Sequence, residues 1–504
     1  MIDRPMPAKK SPPGARWFPR SRPGARRGSI AVALAVSATA LLGMAALASE
    51  AGTWLTVRRN AQGAADAGAI AGIYALTQVG TNEVDSRVRE VVTRNGFTNG
   101  SNATVTVETG LWAGGAFATP VPSGQTPNAV RVQVTQTQTM VLARLISTVA
   151  PIAWGGAVAA RTPGGPACVL SVPPPGGGTT QVDGSVYISG SNALNAPNCL
   201  IASNRPGRRS IELGNNAAGS LIAAALRAHG QCYNCDDVPE ANVPGGTASG
   251  APLTENPFED LDDRTVNPIP RFTGGACVEP TYRDAQNTIL RGNGNNEPNG
   301  WTTMTLTSVT DRLAVPRDYT ATCGRNVQIG AGQTLRLTPG TYYFSGASLI
   351  QTGGRIVCDG CSVADRRGVT LVFTGNSSND VGAIRLTGGT FELIAPGTGN
   401  GAPAAYDGVA IYRDNAGAVR NAAGDNIRIE GNSGSTLFGG VYAPTSEIQL
   451  VGTATMNPPP GASEGCMSIV AGRISLSGNS AMNVNACQPY GTGVAQIWTV
   501  RLVQ

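Results

Sequence analysis

From Gly28 to Ser49 the chain runs 22 residues without a charged side chain, GSIAVALAVSATALLGMAALAS. No other feature restricts the fold as strongly. Wound as an α-helix, the run is about 33 Å long, enough to cross the hydrocarbon core of a bilayer. Eight basic residues and one acid precede it, in the Pro-broken stretch 1–27. Positive charge stays on the cytoplasmic side, so 1–27 is expected to be a cytoplasmic tail, with everything beyond residue 49 outside; Arg58 and Arg59 oppose this with two charges only. Ala46-Leu47-Ala48 is an A-x-A site, and cleavage after Ala48 would make the run a signal peptide. The run is longer than a usual signal core and its helical pattern continues through Trp54, which favours a single-pass anchor over residues 28–49.

Beyond the span, TWLTVRRNAQGAADAGAIAGIYAL (53–76) places Trp54, Ala61, Ala65, Ala69, Ile73 and Leu76 at three- and four-residue intervals. That spacing predicts one apolar face, made mostly of Ala. Small side chains let another element approach closely, so the helix is suited to packing rather than to standing alone. Gln62 and Asp66, four apart, share a side and can interact. The simpler reading is a stem packed on its own domain; the sharper one is a docking helix for another membrane component.

A basic flank, an Ala/Leu span and then Asn60-Ala61-Gln62-Gly63-Ala64-Ala65-Asp66-Ala67 resemble the TadE/TadG-like segment of tight-adherence (Flp) pilus assembly proteins. In that family the helix reads approximately Leu-Gln-x-Ala-Ala-Asp-Ala-Ala-Ala-Leu-Ala. The motif positions carried over are Gln62, Ala64, Ala65, Asp66 and Ala67; Ala61 stands for the Leu, Gly68 for an Ala, and Glu50 where Asp is common. The resemblance implies a membrane-anchored assembly component with other pilus-assembly proteins as partners. Ala33, not Glu, is fifth after Gly28, which argues against pilin-type processing. Asp183-Gly184-Ser185-Val186-Tyr187 lacks the last hydroxyl of the Asp-x-Ser-x-Ser metal site found in some TadG-like proteins, so no such domain and no bound metal is expected.

Residues 50–162 read as this helical stem followed by a small α+β segment. A helix is expected over 81–94, stopped by Asn95-Gly96, and alternating strands at 104–107 and 130–134. From 163 to 504 the character changes. The chain holds 66 Gly and 34 Pro with only 14% charged residues, a turn-dense composition. VYISGSNAL (186–194), IRLTGGTFEL (384–393), IRIEGNSGSTL (427–437), IQLVGTATMN (448–457) and ISLSGNSAMN (474–483) share an apolar-x-apolar triplet followed by a Gly turn. Period-two alternation turns both apolar residues inward. The last four copies are spaced 43, 21 and 26 residues apart, steps of about one solenoid coil. The expected class is therefore mainly β: a transmembrane helix and α+β stem, then a Gly-rich parallel β-helix-like solenoid. A β-sandwich is the alternative. LTPGTYYFSG (337–346), CDGC (358–361), RGVTLVFTG (367–375) and GGVYAPTSEIQL (439–450) also resemble the C-terminal region of large TadG-related proteins.

The ten cysteines are Cys168, Cys199, Cys232, Cys235, Cys277, Cys323, Cys358, Cys361, Cys466 and Cys487. An even number, all beyond the apolar run, points to disulfides in an oxidising compartment; counting leaves the connectivity open, with sequential neighbours the simplest arrangement. Cys232/Cys235 and Cys358/Cys361 imitate a four-thiolate zinc site, but outside the cytoplasm disulfides are favoured. His229, the only histidine, reads as incidental rather than as a ligand. Gly461-Ala462-Ser463-Glu464-Gly465 matches a nucleophile-elbow pattern without its strand-to-helix setting. Asp407, Asp414 and Asp425 lie in Gly/Asn-rich loops, where Asp commonly makes turns. Outside the tail the net charge is −2, so no footprint for nucleic acid remains. No enzyme, cofactor, metal or small-molecule substrate is inferred. The reading is a cell-membrane, single-pass structural component of a tight-adherence pilus system with its bulk outside the cytoplasm; the alternative is a secreted β-helix adhesin or polysaccharide-acting enzyme.

Overall fold

The computed structural model describes residues 27–78, 80–145, 147–174, 184–190, 194–214, 216–263, 265–267, 281–291, 298–306, 326–375, 381–398, 404–414, 427–431, 434–452, 458–478, 482 and 485–503. The chain divides into two compact units, residues 1–160 with 502–504, and residues 161–501.

In the first unit the expected anchor and stem are one uninterrupted helix, α1 (Arg27–Gln78), of 52 residues. It is long and apolar enough to cross a membrane. Its first half leaves Val32, Leu34, Leu41 and Leu42 exposed, whereas Ala61, Ala64, Ala65, Ala69 and Ile73 are buried. Charged and polar side chains return after residue 49, while the face that meets the rest of the unit keeps small side chains, mostly Ala. A 3-10 turn leads into α2 (Val84–Arg94), which buries Val84, Val88 and Val92 on one face. Four strands follow: β1 (Thr104–Ala113), β2 (Ala116–Ala118), β3 (Ala129–Thr137) and β4 (Ile152–Ser171). They pair antiparallel, with Val107 opposite Val132 and Val132 opposite Ala157. Alternation turns Val130, Val132 and Val134 to one face, all fully buried.

The second unit is built on parallel pairing. In one ladder Val327, Leu349, Ile384, Ile427, Ile448, Ile474, Val186 and Ile211 are successive partners across strands. The Gly-turn triplets thus stack directly on one another. A second ladder aligns Tyr342, Leu371, Ile411, Val441, Ile469, Val169, Ile201 and Leu226. Both columns are buried in one continuous core. A short antiparallel group at 281–305 makes the sheet mixed.

Two features of this unit were not expected. Met467–Ser477, late in sequence, pairs on one side with Thr436–Gly452 and on the other with the last residues of β4, 169–171, which lie in this unit, and with Val186–Ser189. Early and late chain therefore meet inside the stack rather than at its ends. The segment after residue 250 then runs along the outside of the second ladder. Asn204 and Thr254 exchange hydrogen bonds of 2.6 and 2.9 Å, Asn256 donates to the Tyr442 hydroxyl at 2.9 Å, and Tyr412 donates to the Leu261 carbonyl at 3.1 Å. Phe258 and Leu261 join Tyr343, Tyr406, Tyr412 and Tyr442 in a second buried cluster. Tyr412 and Tyr442 stack with centroids 5.7 Å apart.

Cysteines pair as Cys168–Cys199, Cys232–Cys235, Cys358–Cys361 and Cys466–Cys487. Cys277, Cys323 and Asp425 lie outside the described residues.

Candidate functional site

The motif residues sit where α1 crosses the hairpin of β3 and β4. Gln62 holds the crossing from both ends of its amide. Its Nε2 donates to the Gly156 carbonyl at 2.8 Å and to Asp66 Oδ1 at 2.7 Å, while the Gly156 N–H donates to Oε1 at 3.1 Å. The sequence pattern anticipates the Gln62–Asp66 pair; the strand partner is new. Helix and strand touch backbone to backbone. A Cβ on Gly155 would lie 2.4 Å from the Ala61 carbonyl carbon and from the Gln62 nitrogen. No side chain fits there. Ala64 and Ala65 are buried and Ala67 is half-buried.

The departure from the family pattern at Gly68 has a local cause. A Cβ there would fall 2.8 Å from Val92 Cγ2 and 3.3 Å from Val88 Cγ1, so the valines of α2 occupy the room an Ala methyl would use. The Ala-rich face offered by the sequence to a partner helix is covered by α2 and β3 of its own unit. Packing within the unit, the simpler of the two readings, describes it.

A second contact lies nearer the apolar half of α1. The Glu50 carboxylate accepts the backbone N–H groups of Val141, Leu142 and Ala143 at 2.6, 3.1 and 3.1 Å. The Val141 bond, then those from Ala143 and Leu142, outweigh desolvation and hold the Glu50 carboxyl below its usual range. A lone acid closing an uncharged run was its only trace in sequence.

Residues 60–159 match the family model for Tad-like Flp pilus-assembly. The chain carries a Tad-like pilus-assembly domain. No curated protein matches the chain. No solved structure matches it. The Tad-like segment opens two residues before Gln62 and closes three after Gly156, so it spans both halves of the clasp.

Of the chemical candidates elsewhere, His229 and Asp414 are held by hydrogen bonds. His229 Nδ1 lies 3.0 Å from the Ala251 carbonyl, where the outer segment begins. Asp414 is buried and accepts the Thr374 hydroxyl at 2.6 Å. Asp407 is half-buried. Ser463 is exposed, and Cys466, just past that motif, is bonded to Cys487. Among the described residues, no group of three or more His, Cys, Asp or Glu is placed to hold a metal ion. The acidic stretch 255–263, which the sequence reading did not single out, is placed on a cleft of ≈ 550 Å³ beside Tyr442, lined by Glu255, Glu259, Asp262 and Asp263. Asp262 accepts the Tyr442 hydroxyl. Burial first, and then the Asp262 charge, push that phenol far above its ordinary range, so it remains neutral. A second cleft of ≈ 610 Å³ is lined by Arg385, Arg428, Glu430 and Gln449 on the outward side of the first ladder.

Proposed function

We propose that this chain is a membrane-anchored, extracytoplasmic structural component of tight-adherence (Flp) pilus assembly. The observation that carries the reading is the continuity of α1: an apolar run able to cross a bilayer passes without a break into the Tad-like segment. The basic stretch 1–27 favours a cytoplasmic start and an outside body. In this reading 28–49 anchors, the stem to about residue 162 is a rigid spacer, and 163–504 is a parallel β-solenoid braced by disulfides. Its two aligned apolar columns support the solenoid, because each coil repeats the burial of the last. The role is mechanical and associative rather than catalytic: Gln62, Ala64, Ala65, Asp66 and Ala67 hold the stem's shape, and its partners are the membrane and other pilus-assembly proteins.

The test is fractionation and crosslinking of the full chain in a host that assembles such pili. It should resist carbonate extraction, keep residues before Ala48, expose residues 163–504 to external or periplasmic protease, and crosslink to other pilus-assembly proteins. A mature N-terminus at Ser49 would remove the anchor, and crosslinking to none of those proteins would remove the assembly role.

A further inference from the structure

Among the described residues of the loop between β3 and β4 (138–145 and 147–151), apolar side chains turn outward. Val141, Leu145 and Val149 are 69, 82 and 77% exposed, and Ile152 at the start of β4 is 64% exposed. Arg144 is the loop's one charged side chain, and its Nε donates back to the Met140 carbonyl at 2.8 Å. Ordinary surface loops are polar, so this exterior calls for a partner.

Its position indicates which one. Glu50 is the first charged residue after the uncharged run, and it holds the loop by three backbone N–H groups. The loop is therefore pinned at the height where α1 leaves the apolar span. Trp54 follows about 6 Å further along the helix, at the depth where headgroups replace acyl chains. Trp154, 46% exposed, is two residues beyond Ile152. Trp at this depth is the usual composition of a membrane–water boundary. A carboxylate at that boundary is costly unless satisfied, and the three donors satisfy it.

We propose that the β3–β4 loop rests in the interfacial layer of the bilayer crossed by α1, giving the first unit a second lipid contact through Val141, Leu145, Val149 and Ile152. A single helix leaves the domain free to tilt and turn about one axis. A second contact to one side of α1 fixes the azimuth and tilt of the Tad-like domain. The proposal rests on the membrane-anchor reading above. A protein partner on the same loop is the competing occupant.

The experiment uses the full oxidised chain in phosphatidylcholine/phosphatidylglycerol vesicles, with and without brominated acyl chains. Leu145→Trp adds a reporter at the tip, and Ser123→Trp adds one in the exposed loop before the opposite end of β3. The emission added by Leu145→Trp should be blue-shifted and fall by about half or more in brominated vesicles, as for a side chain at the acyl boundary. The emission added by Ser123→Trp should be unchanged. If the chain floats with the vesicles but Leu145→Trp is not quenched, the loop faces water or protein and the proposal falls while the anchor stands. Equal quenching at both positions would show a domain lying on the membrane indiscriminately, and also overturns it. If the chain does not float, the anchor reading falls and takes this inference with it.

Discussion

The two units solve the same problem, holding layers together with few charges, in opposite ways. The first has no cysteine and relies on close approach: Ala and Gly let α1 lie against the backbone of β4, and one glutamine closes the contact. The second uses repetition, stacking large apolar side chains in register and linking neighbouring strands covalently through Cys168–Cys199. Close approach concentrates the energy in a few atoms, where one added side chain is ruinous. Repetition spreads it, so single losses are tolerated but the covalent links matter to the whole.

Substitutions should divide along that line. Ala65→Arg forces a long cation into a fully buried helix face. We expect a loss of about 3–5 kcal/mol, confined to the first unit, because the charge finds no buried partner. Limited proteolysis should cut residues 80–160 rapidly while 163–504 keeps its resistance. Unchanged resistance in both would mean that the Ala face is not a packed interface.

Removing the Cys168–Cys199 link by changing both residues to Ala opens a loop of sequence separation 31. The expected cost is roughly 3–4 kcal/mol, now in the second unit, from the chain entropy regained on unfolding. Denaturant unfolding followed with probes in each unit would show it; a shift in the stem transition instead would contradict the division. Gln62→Ala should cost about 1–3 kcal/mol, since the Gly156 N–H and C=O lose their helix partner in a part-buried place. Thermal melting of the stem measures this, and Gln62→Glu should not restore it, because a carboxylate has no N–H for the Gly156 carbonyl.

The smallest effect concerns pH. Glu50 is held below its ordinary value near 4.5, so its contribution is present above that value in the unfolded chain and is lost as pH falls through the lower folded value. Exchange at the amides of Val141 to Ala143, corrected for its intrinsic pH dependence, should accelerate only in that acid window. Glu50→Ala should abolish the pH dependence and leave these amides fast throughout.

Much of this was legible beforehand because it depends on local periodicity. The small-residue face from Trp54 to Leu76 and the apolar-x-apolar triplets encode which side is buried, the uncharged run encodes a length, and spacing alone reveals each. Gly155-Gly156 inside a strand is itself a mark of close backbone approach, legible in the sequence. The acids of the Tyr442 cleft are a visible acidic stretch, Glu255 to Asp263, but that it lies beside Tyr442 is set only by the path of the outer segment.

By itself the sequence determined that α1 has an uncharged half and an amphipathic half with a small-residue face, that the Gly-rich region turns the apolar residues of short strands inward, and that the cysteines all lie in one region. These follow from side-chain size and polarity at fixed spacings. Only the tertiary structure decided that Met467–Ser477 lies between the unit's early and late strands, that residues beyond 250 cover the tyrosine face, and that Gln62 clasps Gly156. The physical reason is common to all three. Parallel strands with similar apolar triplets can pair in many orders at nearly equal local energy, and the choice is made by long-range register, by what must cover a remaining apolar face, and by where two backbones can touch.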